Sequence, residues 1–215
     1  MSAIIPVYNG ERYLAEAVES VRTQGHVPLE ILVVDDASTD GTGSLARGWP
    51  DVRYVARTVR RGAGAARNLG VSLSSGGLLA FLDADDAWVR GKLSRQVEAL
   101  AGEPALEAVF GHVVPFWEGG EGAAMPGPVP GTMLIRREAF VRVGGFDESP
   151  GAKETVDWYL RAVEAGLRMR MLSDVVYRRR IHGENRGVRE RDMGGYLAAL
   201  KASLDRRRGG GGAGT

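Results

Sequence analysis

The apolar run Leu78-Leu79-Ala80-Phe81-Leu82 ends in Asp83-Ala84-Asp85-Asp86, so three carboxylates fall within four residues directly after a buried-strand pattern. The fold must therefore deliver a cluster of negative charge to a strand's carboxyl end. Unpaired, those charges repel one another and resist desolvation. A cation is the simplest way to stabilise them, and oxygen ligands of this kind suit Mg²⁺ or Mn²⁺. Such a cation in turn suits a diphosphate. The plainer alternative makes Asp86 the N-cap of a helix starting near Trp88 or Val89 and leaves the other two carboxylates solvated.

Upstream, residues 3–7 and 29–34 are short β-branched runs, each followed by a polar turn. Between them Tyr13, Leu14, Ala17, Val18 and Val21 recur at helical spacing after Asn9-Gly10, with Asn9 as the expected N-cap. The pattern repeats through a weak helix over 39–47, a strand over 52–56, a helix over 63–73 and the strand ending at Leu82. Strands alternating with helices predict a mostly parallel sheet whose ligands sit outside the strand carboxyl ends. Tyr8, Asp35-Asp36 and Asp83 to Asp86 all lie at such ends.

The second half reads differently. A helix is expected over 92–101 and a strand over 108–114, whereas 115–131 has Gly, Pro and little periodicity and reads as a mobile, lid-like loop. A short strand over 132–135, a helix over 137–143, a turn at Gly144-Gly145-Phe146-Asp147 and a helix over 155–165 follow. Strands over 169–172 and 175–179 and a helix over 190–207 complete the pattern, and the glycine-rich 209–215 reads as a disordered tail.

The 215 residues suffice for one domain, taken as 1–208, with halves over 1–114 and 115–208. Lys+Arg 28 against Asp+Glu 27 gives no basic field for nucleic acid. The absence of cysteine excludes disulfides, thiolate nucleophiles and Cys-ligated zinc. No signal peptide is visible, and no apolar run approaches the ~20 residues of a membrane-spanning helix. The expectation is a cytoplasmic protein, with peripheral membrane contact allowed.

Residues 4–9 (Ile-Ile-Pro-Val-Tyr-Asn), 33–42 (Val-Val-Asp-Asp-Ala-Ser-Thr-Asp-Gly-Thr), 65–68 (Ala-Ala-Arg-Asn) and 81–86 closely resemble the family 2 glycosyltransferases, in the same order and spacing. The resemblance continues through Gly131-Thr132-Met133, the 144–148 turn and Arg178-Arg179-Arg180-Ile181-His182, covering roughly residues 3–185. It implies an α/β GT-A (Rossmann-like) fold: a mostly parallel central sheet flanked by helices, with a small antiparallel portion in the C-terminal half. It also implies a UDP- or GDP-linked sugar donor, a divalent cation (Mn²⁺ or Mg²⁺), and transfer with inversion to a carbohydrate, lipid-linked or small-molecule acceptor.

Carried over by position, the resemblance makes Pro6 and Tyr8 line the nucleobase pocket, with Tyr8 stacking on the base, and has Asp36 hydrogen-bond a base edge. Asp83 contacts the ribose or a metal-bound water, and Asp85 binds the cation. Asp86 supports either. Arg67 pairs with carboxylates or phosphate, the alternative being an ion pair that ties its helix to the sheet edge. His182 reaches the metal or diphosphate, the alternative being a structural histidine. One or two of Arg178 to Arg180 could face the diphosphate if the segment is a strand. His26 and His112 lack such context and read as structural.

One position departs from the family. Where the family commonly carries Glu-Asp, with the Asp as general base, this chain reads Lys153-Glu154-Thr155-Val156-Asp157. Threonine cannot take the acceptor proton at neutral pH, and general-base assistance is typically worth ~10²–10⁴-fold. Asp157, with Glu154 second, is the expected substitute, because residues three apart share a helix face. The alternative makes Asp157 a helix-start residue complementing the dipole. Three readings follow: an inverting glycosyltransferase; a nucleotide-sugar-binding homologue with impaired chemistry; and a dinucleotide-dependent oxidoreductase, suggested by Gly62-Ala63-Gly64-Ala65-Ala66-Arg67. That last fingerprint lacks its final glycine and sits too late in the chain.

Overall fold

The computed structural model describes residues 1–25, 29–149 and 153–183, together with residues 201, 203 and 206. Strands β1 (Ser2–Val7), β2 (Glu30–Asp35), β3 (Val52–Ala56) and β4 (Leu78–Phe81) lie side by side in the order β3-β2-β1-β4, all parallel. Helices α1 (Leu14–Arg22), α2 (Thr42–Arg47) and α3 (Ala63–Leu73) form the crossovers. Pro6 sits inside this central strand. The Ile4 carbonyl faces β4, accepting from the Leu82 amide, so Pro6, two residues on, faces the same side beyond the point where β4 ends. It lacks the N–H that would continue the ladder toward Leu82.

The sheet continues through the second half as β4-β9-β6-β10-β5, formed by β5 (Ala87–Trp88), β6 (Ala108–Trp117), β9 (Leu134–Arg136) and β10 (Met169–Arg180). β10 runs parallel to β6, whereas β9 is antiparallel to both β4 and β6. β7 (Gly120–Glu121) and β8 (Met125–Gly127) pair antiparallel with β6. Among the described residues, α4 (Lys92–Gly102), α5 (Arg137–Val143) and α6 (Glu154–Glu164) follow. The long ladders are parallel, and each antiparallel pair takes at least one strand from beyond residue 114, with partners β4, β5 and β6 reaching back into the first half.

Several expectations need correction. Asn9 does not cap α1; it adopts φ 51° and its Oδ1 accepts from the Thr39 amide at 2.8 Å. Helix α4 starts at Lys92, after Gly91 at φ 81°, so Asp86 caps nothing. The segment 115–131 is not structureless: it completes β6, carries β7 and β8, and ends in a 3-10 turn over Pro130–Thr132. The two strands expected over 169–179 are one strand, β10, whose bulges absorb the polar Ser173-Asp174. Of the expected helix over 190–207, residues 201, 203 and 206 are described and helical; the rest, with His26 and the tail 209–215, lies outside the described residues.

Two apolar clusters pack the sheet. Leu14, Val18, Val33, Leu82, Leu93 and Val109 fill one, and Val34, Ala66, Phe81, Phe140, Phe146 and Trp158 the other. In the second cluster Phe140 stacks on Trp158 at 5.5 Å, and Trp158 donates from Nε1 to the Gly144 carbonyl at 2.9 Å. This contact locks the Gly-Gly-Phe-Asp turn to α6 and thereby fixes where the first residues of α6 lie.

Candidate active site

The loops at the carboxyl ends of β1 and β2 are knitted together. The Asn9 amide donates to Ser38 Oγ (2.9 Å), the Gly10 amide to Thr42 Oγ1 (2.9 Å) and the Gly41 amide to Glu11 Oε2 (2.9 Å). The adjacent aspartates divide their work. Asp35 accepts from Tyr54 Oη (2.6 Å) and the Ser38 amide (2.7 Å), a structural role, and burial followed by the hydrogen bond to Asp35 pushes the Tyr54 phenol up to about 12. Asp36 accepts from the Arg61 amide (3.0 Å) and the Gly62 amide (2.6 Å) and lies 3.6 Å from the Arg57 guanidinium. Asp36 thus fixes the turn leading into α3. Tyr8 stands exposed beside this turn, with the Arg60 guanidinium 3.7 Å from its ring centroid, while Pro6 is buried beneath.

The acidic motif after β4 splits three ways. Asp83 accepts from Arg67 Nη2 at 2.5 Å. Asp85 Oδ2 lies 3.0 Å from His182 Nε2, just past the end of β10. Asp86 turns inward, accepting from the Tyr177 hydroxyl and from the Arg180 amide (2.6 Å). Burial, then the charge of Asp83, raises Asp85 above the usual carboxylate range, an effect partly offset by the hydrogen bond to His182. Burial, then Asp85 and Asp83, raises Asp86 well above that range, and burial with Asp86 likewise raises the Tyr177 phenol. The motif therefore carries stored like-charge repulsion, which a cation relieves.

Arg67 is 4% exposed and joins the two halves: Nη2 meets Asp83, and Nη1 meets Glu154 Oε1 at 3.4 Å. Burial alone would lower its pKa, but the charges of Asp83 and Glu154 outweigh that and raise it. Asp157, one turn along α6, instead pairs with Arg161 Nε (2.7 Å) and Arg206 Nη1 (3.4 Å). Thr155 lies between them, half-buried. Arg180 donates to the Asp85 carbonyl (3.0 Å) and pairs with Glu16, and Arg178 reaches Glu121 at 3.5 Å.

The structure thus brings Arg67, Asp83 and Glu154 into one chain of contacts, and Asp85 and His182 into another. Sequence reasoning missed Arg60, since nothing in a surface loop marks an arginine that stacks, and gave no role to Tyr177. Among the described residues, no group of three or more His, Asp and Glu side chains could hold a metal ion by itself. The donor set still fits Mn²⁺, because Asp85 and His182 supply adjacent oxygen and nitrogen donors, while Mg²⁺, which takes oxygen ligands, would be held through Asp85. Such ions commonly complete their shell with phosphate oxygens and water.

Comparison with known proteins bears on this geometry. The family model described as Glycosyl transferase family 2 matches residues 2–146. An Escherichia coli protein named UDP-Glc:alpha-D-GlcNAc-diphosphoundecaprenol beta-1,3-glucosyltransferase is 34% identical over 102 residues, covering 46% of this chain and 40% of its own. Three further curated relatives are likewise longer proteins, of which this chain spans 40%, 32% and 17%. The structure of S. aureus TarS with UDP-GlcNAc superposes at a TM-score of 0.78 and 20% identity, over 94% of this chain and 64% of that one. A Pyrobaculum calidifontis mannosyltransferase in complex with GDP-Man and Mn²⁺ gives 0.68 and 23%, over 100% and 75%. These two likenesses establish the GT-A fold. Among the described residues no helix is long and apolar enough to cross a membrane.

Proposed function

We propose, from the premise that this chain belongs to glycosyl transferase family 2, that it transfers a sugar from a UDP- or GDP-linked donor to an acceptor hydroxyl, with inversion and with a divalent cation. The observation that carries this reading is the division of the Asp83-Ala84-Asp85-Asp86 motif among Arg67, His182 and the Tyr177–Arg180 pair. Asp86 fixes the loop from behind. Asp85 and His182 would hold the cation, whose chemistry is to neutralise the departing diphosphate. Tyr8 and Pro6 form one wall for the nucleobase, and Asp36 either accepts from a base edge or positions the turn that carries Arg60. The 1–114 half binds the donor and the 115–208 half the acceptor, within one unit. The acceptor class is carbohydrate, lipid-linked or small-molecule, and the protein works in the cytoplasm or at a membrane surface.

Asp157 and Glu154 remain the candidate bases, and the contacts favour Glu154. Its partner Arg67 also holds Asp83, so Glu154 adjoins the donor side, whereas Asp157 is committed to Arg161 and Arg206. A carboxylate paired with an arginine can still accept a proton from an acceptor hydroxyl as it attacks. A second reading, a donor-binding homologue with impaired chemistry, is favoured by one observation: Thr155 at the position where the family places its base. Incubation with a panel of nucleotide sugars and Mn²⁺, scored by which nucleotide diphosphate is released, tests the reading. Release from one UDP- or GDP-sugar is the expected result, and no release or binding with any donor overturns it.

A further inference from the structure

We infer that Tyr13 is a positioning residue that holds the His182 imidazole against Asp85, an inference that rests on the glycosyl-transfer reading above and adds a residue to its cation site. Helical spacing groups Tyr13 with Leu14, Ala17, Val18 and Val21 as one core-facing stripe. Those four are buried in α1, whereas Tyr13 is half-buried and, among the described residues, joins neither apolar cluster. Its ring packs on His182 instead. The two centroids lie 5.0 Å apart with the ring planes inclined at 36°, within the range of a specific aromatic contact.

Backbone contacts fix where the tyrosine ring stands relative to the acidic motif. The Tyr13 amide donates to the Gly10 carbonyl at 3.0 Å, and the Gly10 amide donates to Thr42 Oγ1 at 2.9 Å. A Cβ added at Gly10 would overlap Val7 Cγ2 and lie 3.6 Å from the Ala84 Cβ, so this turn rests on the residue between Asp83 and Asp85. Strand β10 braces the ring from its other side of the site. The Arg180 guanidinium lies 4.7 Å from the centre of Tyr13 and 4.5 Å from that of Phe116, while its Nε donates to the Asp85 carbonyl at 3.0 Å.

His182 follows the end of β10, where the Ile181 amide donates to the Phe116 carbonyl at 2.7 Å. Asp85 Oδ2 meets one atom of the imidazole, Nε2, at 3.0 Å. A contact to one ring atom sets a distance and not a plane. The face of Tyr13 supplies the second constraint, and a ligand oriented before the cation arrives has less freedom to lose on binding.

The test measures UDP and GDP affinity by calorimetry, with Mn²⁺ and with EDTA, in wild type, Tyr13→Leu, Tyr13→Phe, His182→Ala and the variant combining Tyr13→Leu with His182→Ala. The quantity compared is the gain in affinity that Mn²⁺ gives. Tyr13→Leu should reduce that gain about fivefold, while Tyr13→Phe, which keeps the ring, should stay within about twofold of wild type. In the His182→Ala background Tyr13→Leu should cost nothing further, since the tyrosine acts through the imidazole. A full gain in Tyr13→Leu overturns the inference. So does an equal loss with and without His182, which would make the tyrosine a brace for Arg180 or for the fold. Proton NMR reads the contact without metal: the His182 ring protons, identified by their loss in His182→Ala, should carry ring-current shifts in wild type and Tyr13→Phe that vanish in Tyr13→Leu. Absence of those shifts in wild type overturns the inference. If wild type binds neither nucleotide, or His182→Ala keeps the full gain, the failure belongs to the glycosyl-transfer reading and its cation site, and the proton shifts alone then decide whether Tyr13 holds the imidazole.

Discussion

Arg67 Nη1 stands 3.4 Å from Glu154 Oε1, which joins α3 to the first residue of α6 across 87 positions of sequence. Because the other arm of the same guanidinium holds Asp83, Glu154, next to Thr155, is coupled to the acidic motif after β4.

From this follows the first prediction. Glu154→Gln should lower turnover by about 10²-fold with donor affinity little changed, the mark of lost general-base assistance. Asp157→Asn should mainly lower stability, by ~1 kcal/mol, since its partners Arg161 and Arg206 are partly exposed. The reverse pattern in steady-state kinetics would restore Asp157 to the base role.

Thr155→Asp should raise turnover if the acceptor pocket is otherwise intact. Transfer by the variant, with donor binding but no transfer by the wild type on the same acceptors, would favour the impaired-homologue reading. No change in rate would show that Thr155 does not occupy a reacting position.

The sequence made most of the first half legible, because β1 to β4 and α1 to α3 have the simple periods of buried strands and one-sided helices. Features spread across distant segments were not legible. β5 has two residues and no period; the bulged β10 looked like two strands, because Ser173-Asp174 reads as a turn. Asp83, Asp85 and Asp86 were visible as a cluster, but their separate partners, Arg67, His182 and Tyr177, come from segments up to 97 residues away.

Lys92 shows the same limit. A lysine at the start of an amphipathic helix reads as solvated, yet here it is fully buried. Its Nζ donates to Gln96 Oε1 (2.6 Å) and the Met133 carbonyl (3.3 Å) and sits 4.7 Å from the centre of the Trp88 ring. Burial drives its pKa well below the usual lysine value. Between the depressed folded pKa and the unfolded value of ~10.4 the unfolded state binds the extra proton, so folding stability rises with pH across that window. Urea unfolding at pH 7 and pH 9.5 should show wild type gaining on Lys92→Met as pH rises. A difference constant with pH would mean that the amine stays protonated in the folded state.

Gly131 lies flat against Tyr177, and a Cβ there would overlap the ring; Trp88 Nε1 holds the Gly131 carbonyl at 3.1 Å, so the backbone cannot retreat. Gly131→Ala should therefore cost about 1–3 kcal/mol. It should also disturb the Tyr177–Asp86 bond behind the acidic motif. A melting temperature equal to wild type would contradict this packing.

The central claim, that Asp85 couples a divalent cation to nucleotide-diphosphate binding, is tested most directly by calorimetric titration of UDP and GDP into wild type and Asp85→Ala, each with Mn²⁺ and with EDTA. Wild type should bind one of the two nucleotides with Mn²⁺ and lose most of that affinity in EDTA, while Asp85→Ala should show the weak value under both conditions. Equal wild-type affinity with Mn²⁺ and with EDTA would contradict the account.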